Sequence, residues 1–250
     1  MGVLTFGRLR HFGVLDQWLL LLSIGSSAAY LATRGVQPFP GSAVLKALGM
    51  APLAVLTFRV LGKAERTTSG AARPGVRDSH ILTAALTLSC IGDVLLHLGS
   101  RRNFGLALGA FLLAHVAYIL LFAQSWPRPL RPSSLELTLT AAVLVYSVVV
   151  TGWLSTRLGE YAVPVIVYSV AITAMTVSAI LGGFSTPFVW IGAMLFLISD
   201  SLIVAGRFNT ALPLTAYLIW PAYYLGQYGI AIGVLQDKAA DRSRSTGCRR

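Results

Sequence analysis

Residues 81–98 read ILTAALTLSCIGDVLLHL, and residues 104–124 read FGLALGAFLLAHVAYILLFAQ. At 1.5 Å of helical rise per residue, each run approaches the about 20 apolar residues that a hydrocarbon layer demands. Neither has the polar face that a surface helix of a soluble domain carries. Only a short break, Ser100–Asn103, separates them. Comparable runs occur at roughly 17–33, 43–62, 135–152, 161–181, 187–206 and 213–235. They are divided by Arg34-Gly35 through Pro40-Gly41, Lys63–His80, Pro127–Ser134, Ser155–Glu160, Gly182–Pro187 and Arg207–Leu212. The expected fold is all-α: a polytopic membrane protein of about eight transmembrane helices. Residues 1–235 form one transmembrane domain, and residues 236–250 a basic cytoplasmic tail expected to be disordered.

Composition agrees. The 250 residues are 55% hydrophobic and 12% charged, with mean hydropathy +0.71. A soluble domain carries roughly twice that charge. The run after Arg8 and Arg10 also has features of a signal peptide, but its length and poor cleavage site favour a span. The net charge of +11 reads as a topology signal rather than a nucleic-acid interface. Arg8, Arg10, Lys63, Arg66, Arg73, Arg77, Arg128, Arg131, Lys238, Arg242, Arg244, Arg249 and Arg250 fall in the termini and the loops on one side. The opposite loops hold Arg34, Arg101, Arg102, Arg157 and Arg207. By the positive-inside rule both termini are cytoplasmic, in the cell membrane if the source is bacterial, and the tail can also meet anionic lipid. Cys90 lies inside helix 3 and Cys248 near the chain end, so no disulfide is expected.

Ionisable groups inside hydrocarbon cost several kcal/mol each and are functional candidates by default. Here they are Lys46, Arg59, Asp93, His97, His115 and Asp200. Arg59 lies near the cytoplasmic end of its helix and is expected to snorkel. His97 lies near the opposite interface. Asp93 and Asp200 are each about 9 Å inside the non-cytoplasmic boundary, on helices that run the same way. Lys46 starts helix 2 on that side. His115, Tyr118, Tyr168, Tyr223, Tyr224, Gln227 and Tyr228 complete a polar layer. Each member also has a structural reading, as hydrogen-bonding glue between helices.

The segments around the two aspartates resemble each other: Ile91-Gly92-Asp93-Val94-Leu95-Leu96 beside Ile198-Ser199-Asp200-Ser201-Leu202-Ile203. Each is followed by Gly, Arg and Phe, then by an apolar helix reaching Ala117-Tyr118 or Ala222-Tyr223. This suggests two parallel four-helix repeats, with the aspartates opposed across a central cavity. Chance similarity between apolar helices is the competing explanation.

These motifs, taken in order, resemble the lysoplasmalogenase membrane family, the YhhN-like proteins. The marks are Gly92-Asp93, then Phe111 with His115 and Tyr118, then Tyr168. Gly192-Ala193-Met194-Leu195-Phe196 with Ser199-Asp200 follows, then Tyr223-Tyr224 with Gln227. Lys46 matches a lysine near the start of helix 2. The resemblance covers most of the chain from helix 2 onward; His97 has no counterpart in it. It implies hydrolysis of the vinyl ether bond of a lysoplasmalogen to a fatty aldehyde and a glycerophospho-base. It implies a lysophospholipid substrate amid membrane lipids, no metal and no cofactor, and leaves protein partners open.

Two carboxylates suit that reaction. A vinyl ether is cleaved by protonating its double bond, capturing the oxocarbenium ion with water and collapsing the hemiacetal. The needs are a proton donor, an anion beside the cation and a base for water, as around the similar cation of glycosidases. Two carboxyls sharing a site of low dielectric can hold one proton between them near neutral pH. The expected assignment is Asp200 as acid and Asp93 as base, although the reverse fits the sequence equally. Lys46 is expected to hold the substrate phosphate. Tyr168, Tyr223, Tyr224 and Gln227 are expected to orient ether oxygen and water, and His115 to fix one carboxylate. Tyr118 and Ser199 join them as binding residues.

Three other readings fit parts of the pattern. A small-molecule or proton-coupled transporter would also use buried aspartates. A metal-dependent hydrolase could employ Asp93 and His97, one helical turn apart, with His115 and Asp200. A non-catalytic lipid-binding scaffold is the third.

Overall fold

The computed structural model describes residues 13–39, 41–67, 78–208 and 215–247. Eight helices follow in chain order: α1 (Val14–Ala32), α2 (Ser42–Thr67), α3 (Asp78–His97), α4 (Arg101–Ala123), α5 (Ser134–Ser155), α6 (Ala162–Ile180), α7 (Phe188–Phe208) and α8 (Thr215–Gly247). All eight are long and apolar enough to cross a bilayer, and no strand occurs among the described residues. The expected spans are present; the ends differ where local chemistry decides them. The break at Ser100–Asn103 is shorter than expected, because Gly99 turns the chain at φ +72° and Ser100 Oγ caps α4 by accepting from Asn103 N at 3.1 Å. A capping box starts α5: Ser133 Oγ accepts from Glu136 N at 3.3 Å, and Glu136 Oε2 accepts from Ser133 N at 2.6 Å.

The last helix runs beyond its apolar stretch. Residues 236–247, expected to be disordered, continue α8 as helix. No Pro or Gly interrupts the stretch before Gly247. Two contacts tie its first turn to the bundle. Asp237 Oδ1 accepts from Ser185 N at 2.9 Å, and Lys238 Nζ lies 2.8 Å from Asp78 Oδ2. Cys248 and the arginines at 8, 10, 73, 77, 249 and 250 lie outside the described residues.

Several helix contacts recur in both halves. α3 lies against α2 and α4 as α7 lies against α6 and α8, and α4 touches α6 where α8 touches α2. α7 and α8 approach each other closely through glycines. A Cβ added to Gly192 would fall 2.5 Å from Gly226 O, and one added to Gly226 would fall 2.8 Å from Gly192 O. Small residues that bring backbones together are how helices associate where lipid removes the hydrophobic drive. Helix α5 is the least buried of the eight, with Val145, Val148 and Val149 exposed to the surroundings.

Pro52 and Pro221 lie inside α2 and α8. Neighbouring helices supply donors close by: Ser23 to Gly49 O at 2.5 Å and Ser199 to Ile219 O at 3.1 Å. Arg59, expected to snorkel, instead donates to buried Asp16 at 2.9 Å. Asp16 escaped the sequence reading because it stands just before the expected start of helix 1.

Candidate active site

Asp93 projects from α3 and Asp200 from α7; they are 2% and 4% exposed. Each is met by side chains from two further helices. The Lys46 ammonium of α2 lies 3.0 Å from Asp93 Oδ1 and 3.3 Å from the Asp93 carbonyl oxygen. The Tyr223 hydroxyl of α8 interacts with the same carboxylate. On the other side, the Tyr168 hydroxyl of α6 donates to Asp200 Oδ2. His115 of α4 places Nε2 2.9 Å from the Tyr168 hydroxyl and 3.7 Å from Asp200 Oδ2. With Tyr168 donating to the carboxylate, His115 Nε2–H donates to the tyrosine oxygen, an assignment that follows from the network. Asp93 is thus met from α2 and α8, and Asp200 from α6 and α4, the counterparts under a parallel repeat.

The polar layer extends from Asp93 through α8. Tyr118 donates to Gln227 Oε1 at 2.5 Å, and Gln227 Nε2 donates to Tyr223 at 3.4 Å. The carboxylates lie within electrostatic range of one another. The rings of Phe111 and Phe196 pack on Tyr223, with Phe196 also against His115. An added Cβ at Gly92 would meet the Phe111 ring at 2.7 Å, so a glycine beside Asp93 lets Phe111 close over α3.

Buried polar atoms normally find partners. Three atoms of this cluster have none: Asp93 Oδ2, Asp200 Oδ1 and His115 Nδ1. One oxygen of each carboxylate is therefore held by the protein, and the other has no hydrogen-bond partner. The charges differ as well. Asp93 has a counter-ion in Lys46, whereas Asp200 is held by the Tyr168 phenol, with the His115 imidazole 3.7 Å away.

Two clefts converge on Asp200 and Tyr168. One is walled by apolar side chains, among them Phe104, Leu108, Phe111, Ile203 and Val204. The other, between α5, α6 and α7, carries the hydroxyls of Ser147, Thr151, Ser169, Thr173 and Ser201.

Several expected binding residues stand elsewhere. Lys46, expected to hold a phosphate at the interface, is 7% exposed, and its ammonium is committed to Asp93. Tyr224 bonds Ser23 Oγ at 2.8 Å, and Ser199 bonds the Ile219 carbonyl, so both join helices rather than face the carboxylates. His97 turns away from Asp93 to Ser42 Oγ at 2.7 Å and Tyr30 at 3.4 Å. Among the described residues no three His, Cys, Asp or Glu side chains gather as metal ligands would. Trp220 went unnoticed in the sequence. Its ring lies 5.4 Å from the Lys46 ammonium, and its Nε1 donates to Ser27 Oγ at 3.0 Å. The signal was available: Trp220, Tyr223, Tyr224 and Gln227 share one stripe of α8 at helical spacing.

The YhhN family profile matches residues 41–234, the span that holds every side chain of this cluster except Ser23, Ser27 and Tyr30. The lysoplasmalogenase of Mycobacterium tuberculosis is 32% identical over 207 residues, 82% of this chain and 77% of that protein. The mouse lysoplasmalogenase TMEM86B is 29% identical over 67% of this chain and 69% of its own length. Its human counterpart is 30% identical over 64% of this chain and 65% of its own. No solved structure matches the chain. An eight-helix membrane bundle closed around two buried aspartates is thus the form that this sequence gives to its family, and the chain belongs to the YhhN family.

Proposed function

We propose that this protein hydrolyses the vinyl ether bond of lysoplasmalogens, yielding a fatty aldehyde and a glycerophospho-base. Relatives named lysoplasmalogenase support the substrate class. The observation that carries the mechanism is the pair of buried carboxylates with one unpartnered oxygen each, Asp93 Oδ2 and Asp200 Oδ1.

Asp200 is the acid, because it lacks the counter-ion that Asp93 has in Lys46. Tyr168 holds Asp200 Oδ2, which leaves protonated Oδ1 to deliver its proton to the alkenyl carbon remote from the ether oxygen. The cation that forms is stabilised by the two carboxylates. Asp93 Oδ2 takes a proton from water as the water oxygen bonds to the cationic carbon, giving the hemiacetal. In the collapse, Asp200 recovers a proton from the hemiacetal hydroxyl while Asp93 returns its own to the departing glycerol oxygen. Both residues regain their starting states, and one water is consumed. Burial strengthens every charge interaction in the sequence. The apolar cleft ending on Asp200 suits the alkenyl chain.

The experiment is a substrate panel with purified protein in detergent micelles. Aldehyde release is expected from the vinyl ether lysolipid and not from the matching saturated ether. Stable vinyl ether lysolipid throughout would overturn the reading and leave transport across a membrane as the next role to assay. The distribution of Lys and Arg supports an orientation with both termini in the cytoplasm.

A further inference from the structure

The Lys46 ammonium is 7% exposed and paired with Asp93, so a phosphate kept at the membrane interface calls for a cation nearer the surface. Arginines near that end of the bundle are mostly engaged. Arg34 donates to Gln37, Arg101 pairs with Glu160, and Arg157 lies over Trp153 and bonds its carbonyl. Arg102 and Arg207 are exposed with no ion pair among the described residues, and of the two it is Arg207 whose guanidinium lies 4.7 Å from the centre of the Phe104 ring. Phe104 is a wall of the apolar cleft that ends on Asp200.

The helix geometry places Arg207 on the line the substrate must follow. Asp200 and Arg207 are seven residues apart, close to two full turns, so they share one face of α7 about 10.5 Å apart along its axis. Ile203 and Val204, on the same face between them, also line the cleft. In a lysoplasmalogen six covalent bonds separate the first alkenyl carbon from phosphorus, a reach of about 7 Å at ordinary bond lengths. An arginine side chain bending back toward the cleft closes the remainder. A guanidinium stacked on an aromatic face keeps its outer edge free for two parallel hydrogen bonds to phosphate oxygens.

We infer that Arg207 holds the phosphodiester of the lysolipid at the mouth of the cleft, setting the depth at which the vinyl ether meets Asp200. This rests on the proposed vinyl ether hydrolysis and deepens it: the enzyme selects phosphate-bearing lipids through α7 rather than through Lys46.

The test compares a choline lysoplasmalogen with the corresponding 1-O-alkenylglycerol, which has the same vinyl ether and no phosphate. In Arg207→Gln the KM for the lysoplasmalogen should rise about tenfold or more with kcat little changed, as loss of a charge-assisted pair predicts. The KM for alkenylglycerol should stay where it is. Arg207→Lys should recover part of the difference, since charge remains while the bidentate geometry is lost. If Arg207→Gln affects both substrates equally, the residue serves folding or contacts bulk lipid, and the inference falls. If it affects neither, the phosphate is held elsewhere, and the inference falls as well. Failure of the wild-type protein to cleave either vinyl ether would instead refute the proposed function.

Discussion

A buried ammonium and a buried carboxylate 3.0 Å apart support each other only while both are present. Removing one strands the other, at a cost of about 3 kcal/mol or more. Lys46→Met should therefore lower the thermal midpoint in detergent markedly. Adding Asp93→Asn to it should restore much of the stability and none of the activity, as differential scanning fluorimetry beside an aldehyde assay would show. If the double variant were as unstable as the single, Lys46 would be held by something other than Asp93. Asp93 and Asp200 could be read from the chain because hydrocarbon makes any charge conspicuous. Their partners were harder to read. Position along a helix gives the depth of Lys46 but not the direction it faces, so an expected phosphate ligand became the counter-ion of Asp93. Tyr224 and Ser199 illustrate the same gap: each is at the right depth and turned to a neighbouring helix.

Helix α7 carries Asp200 on one stripe and meets α8 through Gly192 and Gly226 on another. The registers of Asp200, Ser199 and Tyr223 depend on that contact. A leucine at Gly226 would need space now occupied by Gly192 O and Phe196 N, 2.8 and 3.0 Å from the first added carbon. Gly226→Leu should separate the two helices and lower both the folded yield and the thermal midpoint. A same-sized change at Gly109, where an added Cβ meets nothing within 4 Å, should be tolerated. Equal behaviour of the two variants would show that the α7–α8 contact is not close in solution. The spans themselves were legible, since bilayer thickness dictates the length of an apolar run. Their ends were not, because caps decide them: Ser100 starts α4 earlier than hydropathy suggests, and Asp237 and Lys238 carry α8 past its apolar stretch.

At the scale of the whole molecule, α2 and α8 meet Asp93 and α6 and α4 meet Asp200, an arrangement compatible with the parallel repeat suggested by the likeness of 91–96 to 198–203. Orientation belongs to this scale too. Lys and Arg concentrate on the side where α8 ends, and Lys238 pairs there with Asp78 at the start of α3. A fluorescent protein fused to the C-terminus should fluoresce in a bacterial host, while alkaline phosphatase fused there should be inactive. The opposite pair of results would invert the topology and place the mouth of the Asp200 cleft on the cytoplasmic side.

In the proposed mechanism Asp200 delivers the proton that opens the vinyl ether. Asparagine there preserves shape and still accepts from Tyr168, but it has no proton to give. We would measure aldehyde release from lysoplasmalogen by purified Asp200→Asn beside wild type, with thermal unfolding as the control. The rate should fall about a thousandfold, within the range general acid catalysis supplies, at an unfolding midpoint close to that of wild type. A folded Asp200→Asn protein that releases aldehyde at near the wild-type rate would contradict that mechanism.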